Sequence, residues 1–108
     1  MHEVLFRNLP SSRSWEGSFY ETLTEHGRWD NEAFSSLETC LLAVRAQFEV
    51  TQSVDAHVVL ALLELQQRIS RCIRAHYDAN DIFIIGNVEE EMLYDLVERF
   101  ELAFWSMS

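Results

Sequence analysis

The chain has 108 residues, of which 48% are hydrophobic and 24% are charged. This composition predicts one folded domain, residues 1–108, and excludes an intrinsically disordered chain. The net charge is −10, from 18 acidic residues and eight arginines with no lysine, and a field of this sign opposes direct binding to nucleic acid or to an anionic membrane.

No signal peptide or transmembrane segment is evident at the sequence level, and the longest apolar stretch, residues 58–63, is too short to span a bilayer. Two cysteines in such a chain are typical of reduced thiols and not of a disulfide framework. We therefore expect a cytoplasmic protein.

The chain has only three glycines and one proline, and so few helix-breaking residues predict long helices. A first short helix is expected after Ser18, ending at Gly27 as a left-handed cap. A second is expected from an N-cap at Asp30 to about Glu49, because apolar residues recur at steps of three and four. This core stripe consists of Phe34, Leu37, Leu41, Val44 and Phe48.

The third predicted helix runs from near Ser53 to about Tyr77, and its apolar segment 58–63 indicates a buried, central helix. A turn over residues 78–81 and an extended segment over residues 82–85 follow. The last helix is expected to begin after Asn87 as N-cap and to reach about Trp105. The predicted fold is a small all-α bundle of about four helices, with a possible short extended pairing of residues 4–6 with residues 82–85.

The acidic residues are concentrated in the last third of the chain. Residues 76–108 carry eight carboxylates and one cation, Arg99. Glu91, Asp95 and Glu98 share one helical face, where like charges cost several tenths of a kcal/mol per pair. A face that retains this repulsion without lysines is a candidate surface for a cationic partner. A tryptophan beside a carboxylate in the first loop also suits an interface. The predicted partner-binding residues are Asp78, Asp81, Glu90, Glu91, Asp95, Glu98, Trp15 and Glu16.

Catalytic motifs are not evident: the sequence has no Gly-rich phosphate loop, no G-x-S-x-G and no H-E-x-x-H. Cys72 and His76, four residues apart on a helix, could ligate a metal together with Cys40. Buried thiols acting as small apolar residues are the favoured alternative. We expect no enzyme activity, no cofactor and no metal.

Four stretches carry a resemblance to a known family: residues 10–19 (PSSRSWEGSF), 27–34 (GRWDNEAF), 76–81 (HYDAND) and 93–96 (LYDL). Together they resemble the CdiI-type immunity proteins of bacterial contact-dependent growth inhibition and other polymorphic toxin systems. The resemblance implies a non-catalytic cytoplasmic protein that binds and neutralises the toxin domain of a delivered effector. Many such toxins are nucleases, RNases among them, with basic substrate-binding surfaces. A monomer in a 1:1 complex with the toxin is expected.

An alternative function remains open from the sequence. The chain could be an acidic helical adaptor or regulatory module that binds another cytoplasmic protein through an apolar groove. Its acidity would then serve solubility alone.

Overall fold

The computed structural model describes residues 2–53 and 55–105. These residues contain no β-strand and form an all-α domain, which confirms the predicted fold class. Four long helices and one short helix make up the domain: α1 (Glu3–Arg7), α2 (Phe19–His26), α3 (Asn31–Thr51), α4 (Ala56–Tyr77) and α5 (Glu90–Trp105).

Capping residues set both ends of α2 at the positions that the sequence predicts. The Ser18 hydroxyl accepts a hydrogen bond from the Glu21 backbone N–H, and the Glu21 carboxylate accepts one from the Gly17 N–H. This reciprocal arrangement satisfies two donors at the start of the helix. Gly27 ends the helix in the left-handed conformation, with its N–H bonded to the carbonyls of the preceding turn.

The start of α3 is confirmed, because the Asp30 carboxylate accepts a hydrogen bond from the Ala33 N–H. The predicted core stripe is buried through Val44, but its last member, Phe48, is exposed. The helix therefore continues beyond the part of the bundle that covers it.

The prediction for the first half of α4 was wrong. Val58, Ala61 and Leu62 are buried, whereas Val59, Leu60 and Leu63 are exposed. An apolar sequence does not report how many neighbours surround a helix, and here only one side of α4 has neighbours.

The expected extended pairing of residues 4–6 with residues 82–85 was also wrong, since residues 4–6 belong to α1. The Arg7 guanidinium at the end of α1 donates hydrogen bonds to the carbonyls of Ser14 and Glu16 in the following loop. Asn8 donates to the Val4 carbonyl and accepts from the Tyr20 N–H. These bonds tie the end of α1 to the following loop and to the first turn of α2.

Asn87 is not the N-cap of the last helix. The helix starts three residues later, at Glu90, and the Leu93 N–H bonds to the Glu89 carbonyl. The Asn87 side chain bonds instead to the backbone of Trp29. The neighbouring Gly86 N–H donates to the Gly27 carbonyl, so the segment before α5 runs beside the loop before α3.

The helices pack around one apolar core. α1 and α2 both contact α3 and α4, and α5 also packs against α3 and α4. Phe19, Trp29 and Phe34 meet in the core with ring centroids 4.9–5.3 Å apart. Among the described residues, no helix has an apolar run long enough to cross a bilayer.

Candidate partner-binding surface

The outward side of α5 is acidic. Its inward side buries Leu93, Leu96, Phe100 and Phe104 in the core. Because these residues recur at helical spacing, other residues between them in the sequence face outward. Glu91, Asp95 and Glu98 are all exposed there. In the described part of the chain, none of the three makes an ion pair. Their negative charge therefore remains uncompensated.

The single arginine of α5 does not neutralise this face. The Arg99 guanidinium lies 2.8 Å from the carboxylate of Glu38 on α3 and 5.1 Å from the centre of the Phe34 ring. Both partners belong to α3, so the cation is directed toward the α3–α5 contact. The hydrogen bond with Glu38 raises the pKa of Arg99 further. The only cation in this third of the chain is thus committed to holding two helices together.

Three other arginines also have partners within the molecule, although none of the following contacts joins two helices. Arg7 donates to two loop carbonyls, Arg45 pairs with Glu49, and Arg68 pairs with Glu64. Together with Arg99 these are four of the eight arginines of the chain, and among the described residues none of the four pairs with Glu91, Asp95 or Glu98.

Two tyrosines flank the acidic residues. Tyr77 at the end of α4 and Tyr94 on α5 line an open groove of about 570 Å³ together with Glu90, Glu91 and Asp95. Both rings are more than half exposed. Partial burial raises the pKa of Tyr77, and the nearby Glu90 and Tyr94 raise it further, so its hydroxyl stays protonated at neutral pH. The groove offers carboxylates and aromatic faces together, which suits a guanidinium or an ammonium group.

His76 holds Glu90, one of the residues that line this groove, through a hydrogen bond. Its imidazole is almost completely buried, its Nδ1 lies 2.9 Å from the Ile85 backbone nitrogen, and its Nε2 lies 2.9 Å from the Glu90 carboxylate. Because a backbone N–H can only donate, Nδ1 accepts that bond, and Nε2 carries the proton donated to Glu90. The ring also meets Tyr77 edge-on at 4.9 Å. One side chain thus connects α4, the segment before α5, and the first turn of α5.

The turn between α4 and α5 holds the next two predicted residues. Asp78 and Asp81 are both exposed. Their carboxylates accept hydrogen bonds from the backbone N–H groups of Asn80 and Phe83, respectively, at 2.9 Å. Both carboxylates therefore shape the turn, and Asp78 adjoins Tyr77 at the edge of the groove.

Trp15 and Glu16 belong to a different part of the surface. They lie in the loop between α1 and α2, which Arg7 holds through the Ser14 and Glu16 carbonyls. The structure shows no close packing of α5 against α1 or α2 in the described residues. Trp15 is half-buried, and Glu16 is exposed. The structure thus gathers Glu90, Glu91 and Asp95 in the groove and leaves this loop outside it.

The sequence reasoning missed the tyrosines and His76 as parts of this surface. A signal for Tyr94 was present, since it lies three residues after Glu91 and four before Glu98 and so shares their face. The position of His76 depends on Ile85 and Glu90, which fold back onto it after a turn, and no local spacing reports that.

The alternative metal site is not formed by the described residues, where no group of three or more histidine, cysteine, aspartate or glutamate side chains could hold a metal ion. Cys40 and Cys72 are both buried, and burial raises the pKa of each thiol. His76 is already bonded to Ile85 and Glu90. The two thiols are therefore part of the core and are poor nucleophiles at neutral pH.

No protein-family model, curated protein or solved structure matches this chain.

Proposed function

We propose that this protein is an immunity protein, which binds a basic toxin domain and neutralises it by covering the toxin's substrate-binding surface. The observation that carries this proposal is the exposed acidic face of α5, whose only arginine is directed toward Glu38. Surface carboxylates without counterions repel one another, so their retention favours a role in binding positive charge. The protein itself performs no catalysis in this proposal.

A nuclease is the toxin class that this face fits best. Nucleases bind phosphate through arginine and lysine side chains, and a row of carboxylates along a helix offers those side chains the same charge as the nucleic acid backbone. Tyr77 and Tyr94 add aromatic faces on which a guanidinium can stack. His76 holds Glu90 in place before the toxin arrives, which lowers the entropy lost on binding.

The resemblance of residues 10–19, 27–34, 76–81 and 93–96 to CdiI-type immunity proteins supports the same proposal and adds a setting, the cytoplasm of a bacterium that meets toxins delivered by its neighbours. The part of the proposal that concerns the acidic face stands without that resemblance.

Co-expression tests the proposal directly. The C-terminal domain of the large open reading frame immediately upstream is expressed alone and together with this chain, and growth is measured. We expect the domain to be toxic alone and growth to be restored by this chain, but not by an unrelated acidic helical protein. A toxic domain that the chain fails to neutralise would overturn the proposal.

A pair of matched variants tests the surface. Glu91, Asp95 and Glu98 changed together to alanine should slow association with the toxin domain and weaken rescue. Glu3, Glu25 and Glu32 changed together to alanine alter the net charge equally but lie on α1, α2 and α3, and should leave both unchanged. Equal effects of the two variants would show that net charge matters and not this face.

Salt separates this proposal from the adaptor alternative. Attraction between exposed charges is largely screened beyond about 10 Å at 0.1 M salt. A toxin steered by the acidic face should associate much more slowly as salt rises, whereas a partner bound through an apolar groove should keep its association rate.

A further inference from the structure

The His76 imidazole makes two hydrogen bonds that only a neutral ring can make together. It lies on the last turn of α4, and its side chain is 6% exposed. Its Nδ1 accepts from the Ile85 N–H and its Nε2 donates to the Glu90 carboxylate, both at 2.9 Å. The first bond uses a lone pair that a protonated ring lacks. Because histidine is the side chain whose charge ordinarily changes between about pH 5 and pH 8, the fold depends here on a group that acid can charge.

Protonation has opposite effects on the two sides of this ring. The added proton goes to Nδ1, because Nε2 already carries one, and it then faces the Ile85 N–H across 2.9 Å. Two donors directed at each other form no hydrogen bond, so Ile85 loses its acceptor. On the other side, the bond to Glu90 becomes one between an imidazolium and a carboxylate, which is stronger. A charged ring thus releases the segment before α5 and holds the first turn of α5 more firmly.

The bond to His76 matters to residues 82–85 because little else fixes their backbone. Residues 81–86 form no helix, turn or bend. In the described part of the chain, the Ile85 bond is the one hydrogen bond that joins residues 82–85 to another element. Ile85 is only 2% exposed, and a buried N–H without an acceptor costs free energy. Once the ring is charged, the segment has to move outward for this N–H to reach water.

We propose that His76 is a pH-sensitive latch on residues 82–85. The neutral ring holds this segment against the end of α4. The protonated ring releases the segment, while α5 stays attached to α4 through Glu90. The inference rests on the hydrogen bonds of one buried imidazole and is independent of the proposed immunity function.

On α4 and in the turn that follows it, the titratable groups beside the ring are neutral or already bonded. Tyr77 meets the ring edge-on at 4.9 Å, and Cys72 lies one turn earlier on the same helix. Burial raises the pKa of both, so both stay protonated at and below neutral pH. The carboxylates of Asp78 and Asp81 accept backbone hydrogen bonds within the turn. Residues 82–88 carry no titratable side chain.

From α5 and the loop before α3, one charged group bonds to the ring among the described residues. This group is Glu90, beside which Glu91 lines the open groove. In the loop before α3, Arg28 is exposed, and Asp30 is bonded as the N-cap of α3. Because Glu90 is bonded to both the neutral and the charged ring, the protonation state is read out at Ile85 and not at α5.

Amide hydrogen exchange on the full chain, followed by NMR from about pH 8 to pH 5, tests the proposal. Rates corrected for the intrinsic effect of pH give the protection of each amide. We expect the protection of Ile85 to fall about tenfold or more as the ring becomes protonated. The protection of Leu93, whose N–H bonds to the Glu89 carbonyl at the start of α5, should change little. The ¹⁵N chemical shifts of the His76 ring report its protonation in the same samples.

Two matched variants assign the effect to this ring. His76→Asn places a carbonyl oxygen close to the position of Nδ1 and has no group that titrates in this range. The protection of Ile85 should then be independent of pH. His57→Asn removes an exposed histidine that is bonded to Asp55, and it should leave the pH dependence at Ile85 unchanged.

Each outcome decides the question. A loss of protection at Ile85 that follows the protonation of His76 and disappears in His76→Asn supports the latch. Unchanged protection of Ile85 on the protonated ring, a ring that keeps one state from about pH 8 to pH 5, or the same loss in His76→Asn would overturn it. If circular dichroism shows His76→Asn to be unfolded, the comparison of Ile85 with Leu93 in the unsubstituted chain decides alone.

Discussion

The side-chain amide of Asn87 bonds to both backbone groups of Trp29. Its Oδ1 accepts from the Trp29 N–H at 2.7 Å, and its Nδ2 donates to the Trp29 carbonyl at 2.9 Å. The two residues are 58 positions apart in the sequence. A single side-chain amide thus joins the loop before α3 to the segment before α5. It bonds to both the N–H and the carbonyl of Trp29, as the backbone of a paired residue on a neighbouring β-strand would.

Replacing Asn87 by alanine should lower the free energy of unfolding by about 1–2 kcal/mol, because each bond contributes about 0.5–1.5 kcal/mol net. Asn87→Asp should be at least as damaging, since its carboxylate would face the Trp29 carbonyl. Urea unfolding measures both. Asn80→Ala is the control, as the turn bond at residue 80 uses the backbone N–H and survives the change. A loss as large in the control would mean that Asn87 has no special role.

His76→Phe should destabilise the fold by about 1–3 kcal/mol, because the ring is buried and the Ile85 N–H loses its acceptor. Hydrogen exchange at the Ile85 amide should accelerate more than global stability alone explains. His57→Phe is a suitable comparison, since His57 is exposed and contacts only Asp55 among the polar groups described. Unchanged exchange at Ile85 in His76→Phe would contradict the bonding described above.

Gly27→Ala should cost about 2 kcal/mol or more. Gly27 has a φ of +60°, and an added Cβ would overlap the backbone carbonyl oxygen of Ile84. Gly86→Ala should be nearly neutral, because no atom lies within 4 Å of its Cβ position. Thermal unfolding compares the two. Similar melting temperatures for both variants would mean that the segment before α5 lies farther from Gly27 than the structure shows.

The free protein should become slightly more stable when Glu91, Asp95 and Glu98 are changed together to alanine. The change removes like-charge pairs on one helical face and introduces the best helix former, for a gain of about 0.5–1 kcal/mol at low salt. The matched change of Glu3, Glu25 and Glu32 should give no gain, as Glu3 and Glu32 stabilise helix N-termini. Urea unfolding at low and high salt measures the effect. A gain for the first variant with a loss of toxin binding would identify a surface kept for function at the expense of stability.

The parts of the fold that could be predicted are those governed by neighbours in the sequence. Ser18 and Asp30 cap helices through bonds to residues three positions away, and Gly27 ends a helix through its own backbone conformation. These signals are contained within one or two turns, and the predicted boundaries of α2 and α3 were confirmed.

The failures share a different cause, which is contact between distant segments. The sequence around Asn87 predicts an N-cap, but its side chain is hydrogen-bonded to the backbone of Trp29 instead. Residues 4–6 looked extended, because three apolar residues carry no helical period, and bonds from Arg7 to the following loop complete α1. The acidic face itself was predicted from spacing, but the exposure of Tyr77 and Tyr94 depends on how α4 and α5 meet.

The two hydrogen bonds between the Asn87 side chain and the Trp29 backbone also bear on the order in which the helices assemble during folding. The caps of α2 and α3 close over three residues, whereas the bonds that join α5 and the segment before it to α3 and the loop before α3 span 58 and 61 positions, the longer being Arg99 to Glu38. Closing long loops costs entropy before any contact forms, so such contacts tend to appear late. We expect α5 to dock last, onto helices that are already assembled. The acidic groove would then exist only on a finished molecule, and recognition of a partner would follow the completion of folding.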